Sequence, residues 1–213
     1  IAVSNAGGLG SLPCALLGRD ALKQELAALR AGTAKPFNVN FFCHAVPEAN
    51  AAREAVWRAA LRPYYEELGL DPNDVPAGPG RAPFSGEAVD ALESVKPAVV
   101  SFHFGLPEAG PLARLRGWGA KIIASATTVE EARWLEARGV DAIIAQGVEA
   151  GGHRGMFLGD DVTTQVGTFA LLPQVVRAVQ VPVIAAGGIA SAEGVAAALA
   201  LGAAGVQVGT AYL

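Results

Sequence analysis

This chain is poor in cysteine, methionine and charge. Cys14 and Cys43 are its only cysteines, too few for a disulfide framework or a cysteine-based metal site, and a reducing cytoplasm is the expected home. Neither thiol has a sequence neighbourhood that would activate it as a nucleophile. Only 17% of the residues are charged, and the 16 lysines and arginines are scattered among 20 acidic residues, so no basic footprint for nucleic acid is expected. The three histidines have no ligand-type spacing and no acidic cluster beside them, which argues against a metal site. Long apolar runs are missing too. The most apolar stretch, Val195 to Val208, is broken by Gly202, Gly205 and Gln207, so no membrane span is expected.

Apolar side chains and glycine are what the chain has in quantity. It is 52% hydrophobic, with 26 glycines in 213 residues and a mean hydropathy of +0.35. A chain of that kind buries both faces of its strands, as parallel α/β proteins do. Ile1 to Val3 reads as a strand that ends in a glycine-rich loop, Ser4 to Gly10. A helix fits Ala21 to Arg30, with Leu22, Leu26 and Leu29 on one face and Gly32 as its stop. Phe37 to Phe42 reads as a strand, and Glu48 to Leu68 as a long helix closed by Gly69. Leu70 to Arg81, rich in proline and glycine, reads as loop, and Ser85 to Ser94 as a short helix capped by Ser85.

From there the repeat tightens. Strand-like runs begin at Ala98, Lys121, Ala142, Pro182 and Gly205, and the interval after Ala142 is roughly double the others. Helices fit Pro111 to Gly117, Val129 to Ala137, Thr168 to Val179 and Ala192 to Leu201, with Thr128 and Ser191 as N-caps and Gly139 and Gly202 as stops. Seven strands alternating with helices imply parallel βαβ units. A doubly wound sheet would collect ligand contacts at one switch point. Here polar or glycine-rich segments follow nearly every run: Asn5 to Gly10, Asn40 to His44, His103 to Gly105, Ser125 to Thr128, Gln146 to Gly155, Gly187-Gly188 and Gly209-Thr210. A closed barrel would gather them on one rim. The expectation is an α/β fold, a (β/α)8 TIM barrel, with residues 1–213 forming a single domain that carries a helical insertion around 48–94. Seven strands are visible, so the first strand is expected ahead of Ile1 and the last helix beyond Leu213.

Residue chemistry centres on the loop Gln146 to Gly155, which holds four glycines and His153 and accounts for the doubled interval. Glycine lets backbone amides approach a ligand, and an imidazole can exchange a proton near neutral pH. His153 is therefore expected to take part in substrate chemistry. His103 ends another strand and can face the same pocket, or can be a satisfied histidine at the edge of the core; for His44 the second reading is the stronger. Gly187, Gly188, Gly209 and Thr210 end the last two strands, where barrels commonly hold phosphate. Asn38 and Asn40 lie on one strand face, and Gln146 ends another strand. Such amides suit the edge of a flavin's pyrimidine ring, and equally a polar network in the core. Glu130, Glu131, Arg133, Glu136 and Arg138 read as a solvated helix face, and Trp57, Trp118 and Trp134 as packing residues.

Read together, Ser4-Asn-Ala-Gly-Gly-Leu-Gly10, Ser101-Phe-His-Phe-Gly105, Gln146-Gly-Val-Glu-Ala-Gly-Gly-His153, Ala186-Gly-Gly-Ile189 and Gly205-Val-Gln-Val-Gly-Thr210 carry a resemblance. The chain resembles the nitronate monooxygenases, formerly called 2-nitropropane dioxygenases, of the bacterial class I type, over nearly its whole length. The Ala-Gly-Gly-His stretch is the specific part; Ala-Gly-Gly-Ile is shared by many phosphate-binding barrels. The resemblance implies a TIM barrel with non-covalent FMN. It implies that Gly187, Gly188, Gln207, Gly209 and Thr210 surround the FMN phosphate, that Asn40, Gln146 and Gly151 contact the flavin, that His153 is catalytic, and that His103 stands in the substrate pocket. The implied reaction is oxidation of an alkyl nitronate, such as propionate 3-nitronate, by O2 to a carbonyl compound and nitrite. Three alternatives stay open. One is an FMN-dependent NAD(P)H:quinone reductase, another an enoyl-acyl-carrier-protein reductase, and the third a flavin-binding barrel without catalysis. A likeness to IMP dehydrogenase fails for want of a loop cysteine where that chemistry needs a thiolate.

Overall fold

The computed structural model describes residues 1–74 and 82–212. The chain divides into two compact units, residues 1–44 with 83–213 and residues 45–82. The larger unit holds a seven-stranded sheet in the order β1 (Gly10–Pro13), β2 (Phe37–Phe42), β3 (Val99–His103), β4 (Lys121–Ala126), β5 (Ala142–Gln146), β6 (Val183–Ala186) and β7 (Gly205–Gln207). Every neighbouring pair is parallel. Strand order follows chain order with no reversal, so there is no switch point; this is the winding of a TIM barrel seen in part.

The helices of this unit are α1 (Ala2–Asn5), α2 (Arg19–Gly32), α4 (Gly86–Leu92), α5 (Ala109–Gly117), α6 (Val129–Glu136), α7 (Thr168–Ala178) and α8 (Ala192–Ala200). Alternate strand residues, among them Val39, Phe41, Val100, Phe102, Ile122, Ala124, Ile143 and Ala185, form one core with helix residues such as Leu26, Leu92, Leu115, Leu135 and Leu172. The other strand face carries a separate small cluster, Ile123, Ala142, Ile144 and Ala186, with Val99 and Ile184 against it. Both faces are thus buried over the middle strands, which is why these strands read as near-continuous apolar runs. The smaller unit consists mainly of α3 (Ala51–Glu67), capped by Asn50, whose side chain accepts from the Arg53 amide. Among the described residues, no helix is long and apolar enough to cross a membrane.

Several local expectations hold. Thr128 and Ser191 cap α6 and α8 by accepting from Glu131 and Gly194, and Gly139 and Gly202 take positive φ after those helices. Three are corrected. Ile1 to Val3 is no strand: Ala2–Asn5 is helical, Ile1 and Val3 are exposed, and the first strand is Gly10–Pro13. Three apolar residues do not distinguish helix from strand. The outcome is set by Ser4, whose buried hydroxyl donates to the Pro36 carbonyl and accepts from the Gly10 amide. Segment 5–10 consequently lies before the first strand, at the end of the sheet opposite the other glycine-rich turns. Ser85 stands at the start of α4 but its side chain makes no cap bond. Trp57 is no packing residue in its unit, where 65% of it is exposed. The proposed loop from Leu70 lies partly, at 75–81, outside the described residues.

Candidate functional site

Residues of β2, β3, β4 and β5 that point away from the helices turn polar toward the carboxyl ends of the strands, at Asn38, Asn40, Ser101, Ser125 and Gln146. Asn38 Nδ2 donates to Ser11 Oγ (2.6 Å) and Ser101 Oγ (2.8 Å), and Asn40 Nδ2 donates to Ser101 Oγ (2.9 Å). The two asparagines therefore share a hydroxyl in a buried network, while Asn38 Oδ1 is buried with no protein partner. One step nearer the rim, Phe42 is the centre of an aromatic cluster. Its ring centroid lies 5.0 Å from His153, 5.7 Å from His103, 5.2 Å from Phe104 and 6.3 Å from His44. All three histidines of the chain meet here, His44 included.

The loop after β5 is built by its own polar groups. Gln146 Nε2 donates to the His153 carbonyl (2.9 Å), and Gln146 Oε1 accepts from the Gly155 amide (2.7 Å). His103 Nε2 lies 3.1 Å from the same carbonyl. A carbonyl only accepts, so Nε2 carries the proton and Nδ1 is the acceptor. Burial pushes the His103 imidazole below its ordinary pKa; the bond to His153 works the other way, and the nearby His153 and Arg154 charges reinforce burial. The neutral form of His103 is favoured as a result. Arg154 turns its guanidinium inward and donates to the carbonyls of Gly147, Val148 and Ala150. A Cβ on Gly155 would stand 2.5 Å from His103 Cε1, so the loop can pass there only as glycine.

This loop touches both glycine turns at the ends of β6 and β7. A Cβ on Gly151 would meet Thr210 Oγ1 at 2.3 Å, and one on Gly187 would meet Thr168 Oγ1 at 2.5 Å and the Ala150 amide at 3.0 Å. Glu149 accepts from Thr168 N (2.7 Å) and Oγ1 (2.9 Å), and Thr168 Oγ1 also reaches the Gly187 carbonyl (2.9 Å). Partial burial opposes the Glu149 charge, but its own amide, the Thr168 bonds and Arg154 outweigh it and hold the carboxyl below the usual range. Gly187 and Gly188 turn with φ 125° and 67°, which suits glycine alone. Gln207, Gly209 and Thr210 follow on β7 and the turn after it, where Gln207, Gly209 and Thr210 are exposed.

Sequence reasoning missed Glu131 and Arg154. Glu131 belongs to no solvated face: it is 1% exposed, and its carboxylate binds Thr127, Phe157 and Leu158. The pattern Thr128-Val-Glu-Glu131 has the spacing of a capping box, a signal that could have drawn it inward, although the carboxylate bonds Thr127 rather than the Thr128 amide. Burial pushes the Cys14 thiol up to about 12 and raises the Cys43 thiol as well, which disfavours the thiolate of both.

Fold and site together define a parallel (β/α) barrel unit whose carboxyl rim carries a histidine loop braced against two glycine turns. The nitronate monooxygenase family profile matches residues 1–213, and the chain belongs to that family. It is 48% identical over 216 residues to the nitronate monooxygenase of Paraburkholderia phytofirmans, covering 100% of this chain and 58% of that protein. It is 43% identical over 218 residues to the nitronate monooxygenase of Pseudomonas aeruginosa, covering 100% and 61%. The solved nitroalkane oxidase from Streptomyces ansochromogenes superposes with a TM-score of 0.85 at 41% identity, over 99% of this chain and 60% of that one. The chain spans about three fifths of the length of the curated relatives it matches.

Proposed function

We propose that this chain carries the cofactor and substrate site of an FMN-dependent enzyme that oxidises alkyl nitronates with O2 to a carbonyl compound and nitrite. Propionate 3-nitronate is a substrate of the right class, and the cytoplasm is the proposed setting. In this reading residues 1–213 act as one FMN-binding barrel domain, and the helical segment between β2 and α4 is an insertion. The observation that carries the proposal is the convergence on one loop: Gly151 lies against Thr210, Ala150 against Gly187, and the carbonyl of His153 against Gln146 and His103.

The residues present suit FMN by the chemistry of their donors and acceptors. The turns at Gly187-Gly188 and Gly209-Thr210, with Gln207, offer backbone amides and a hydroxyl to a phosphate. Asn40, Gln146 and Gly151 line the approach to a flavin ring, and Asn38 Oδ1 beneath Asn40 is an acceptor with capacity to spare. FMN, when bound, would supply the electron acceptor for the nitronate. His153 would hold the anionic nitro group when protonated, or take the α-proton of a nitroalkane when neutral. Neutral His103, with Phe42 and Phe104, would form the pocket wall and exclude water from the reacting carbon.

The test uses the full chain. Its absorption spectrum should show flavin bands, and anaerobic mixing with a nitronate should bleach them while NADH should not. His153→Asn should keep the flavin and lose nitronate turnover by roughly 100-fold or more. Bleaching by NADH alone would assign the protein to the reductases, and ligand binding with no turnover of either donor would make it a non-catalytic barrel.

A further inference from the structure

Among the described residues, Glu131 is the one buried carboxylate, and it lies outside the set of groups that would touch cofactor or substrate. It stands in the first turn of α6. Its Oε2 accepts from Thr127 N (2.7 Å) and Thr127 Oγ1 (2.8 Å), which belong to the turn after β4. Its Oε1 accepts from Phe157 N (2.6 Å) and Leu158 N (3.2 Å), which belong to the segment following His153. Four donors converge on one carboxylate, and no cation pairs with it among the described residues. The α6 N-terminus is capped by the Thr128 hydroxyl, which accepts from the Glu131 amide, so that cap does not need the carboxylate. The other oxygen is committed to a segment 26 and 27 residues further along.

That segment is tied in at a second point. The Phe157 ring covers Gly105 after β3 and stacks edge-on against Trp134 of α6 at 5.0 Å. Arg154 ties down the limb entering the His153 loop, Gln146 bonds His153 and Gly155 themselves, and Glu131 holds the limb leaving it. His153 and Gly155 lie between the Arg154 and Glu131 anchors, and a Cβ on Gly155 would meet the His103 ring. We propose that Glu131 is a positioning residue: by anchoring Phe157 and Leu158 it fixes the outgoing limb of the loop and so the placement of His153.

This proposal rests on the functional reading only for its kinetic consequence; the structural half is tested without it. In the full chain, Glu131→Gln keeps the shape but offers an N–H where an acceptor is needed, and Glu131→Asp keeps the charge but is one methylene too short to serve both sides. Thr128→Ala is the control, because it removes the α6 cap and leaves the carboxylate's loop bonds in place. Amide hydrogen exchange should speed up roughly tenfold or more at Phe157 and Leu158 in both Glu131 variants, and not in the control. Turnover of an alkyl nitronate should fall roughly tenfold to 100-fold in kcat in the Glu131 variants, with FMN affinity within about threefold of the parent. Unchanged exchange at Phe157 and Leu158 in Glu131→Gln, or equal effects from Thr128→Ala, would overturn the assignment. If the parent protein turns over no nitronate, the functional reading fails while the exchange result still decides the anchoring.

Discussion

His103 and His153 are 50 residues apart and meet at one carbonyl. Near both rings stands Phe104, whose φ of 66° is a left-handed conformation that bulky residues avoid. Its ring touches those of Phe42, His44, His103 and His153, so the backbone accepts strain to hold an aromatic wall in place. Phe104→Gly should be more stable than Phe104→Ala by about 1 kcal/mol, the reverse of the ordinary order, as read from urea midpoints. Burial of the thiols gives a second expectation at this scale. With Cys14 raised to about 12 and Cys43 above it, neither should react with a neutral alkylating agent at pH 8 until the chain unfolds. The histidines and glycines of the rim were legible as residue types at strand ends, because strand ends are local features. Glu131 was read with Glu130 and Arg133 as a charged face; the spacing from Thr128 hinted otherwise, but its bonds to Phe157 and Leu158 join residues far apart in the chain.

At the scale of the element, the contact between the β5 loop and the start of α7 is the joint that matters. Gly147 lies so close to Thr168 that an added Cβ would stand 2.3 Å from its backbone nitrogen and 2.4 Å from its Cα. Backbone cannot step aside as a side-chain tip can, so Gly147→Ala should destabilise by roughly 2 kcal/mol or more, measurable by urea titration. The same joint carries a pH dependence. Glu149 has a folded-state pKa below its unfolded value, so its bonds to Thr168 add stability above the ordinary carboxylate range, near about 4.3, and lose it as pH falls through the lower folded value. Exchange at the Thr168 amide should therefore rise, relative to other helix termini, between about pH 4 and the acid limit of folding. Glu149→Gln should remove that pH dependence. The helices themselves were read well from sequence, since caps such as Thr128 and Ser191 and stops such as Gly139 and Gly202 act within one turn. The first element was misread because Ile1 to Val3 is too short for periodicity to speak, and its state follows from Ser4 reaching Pro36 and Gly10.

For the whole molecule, the two compact units predict separate responses to mutation. Leu135 is fully buried in the core between sheet and helices, and Leu135→Ala should cost about 2–5 kcal/mol in the main unfolding transition. Trp57, exposed in the smaller unit, should be replaceable by alanine with a change in that transition under about 0.5 kcal/mol. Chemical denaturation of the full chain, followed by far-ultraviolet circular dichroism, checks both.

The alternation of apolar runs with helices set the parallel winding, and the polar or glycine-rich segment after nearly every run pointed to a barrel rather than a doubly wound sheet. The sequence also determined the glycines of the rim and the caps of the helices, whose causes lie within a few residues. Tertiary structure alone decided that Gly10–Pro13 is the first strand, that three histidines surround Phe42, and that Glu131 is buried beneath the loop it holds. Each of those outcomes depends on register and burial between residues far apart in the chain, and neither a local propensity nor a repeat carries that information.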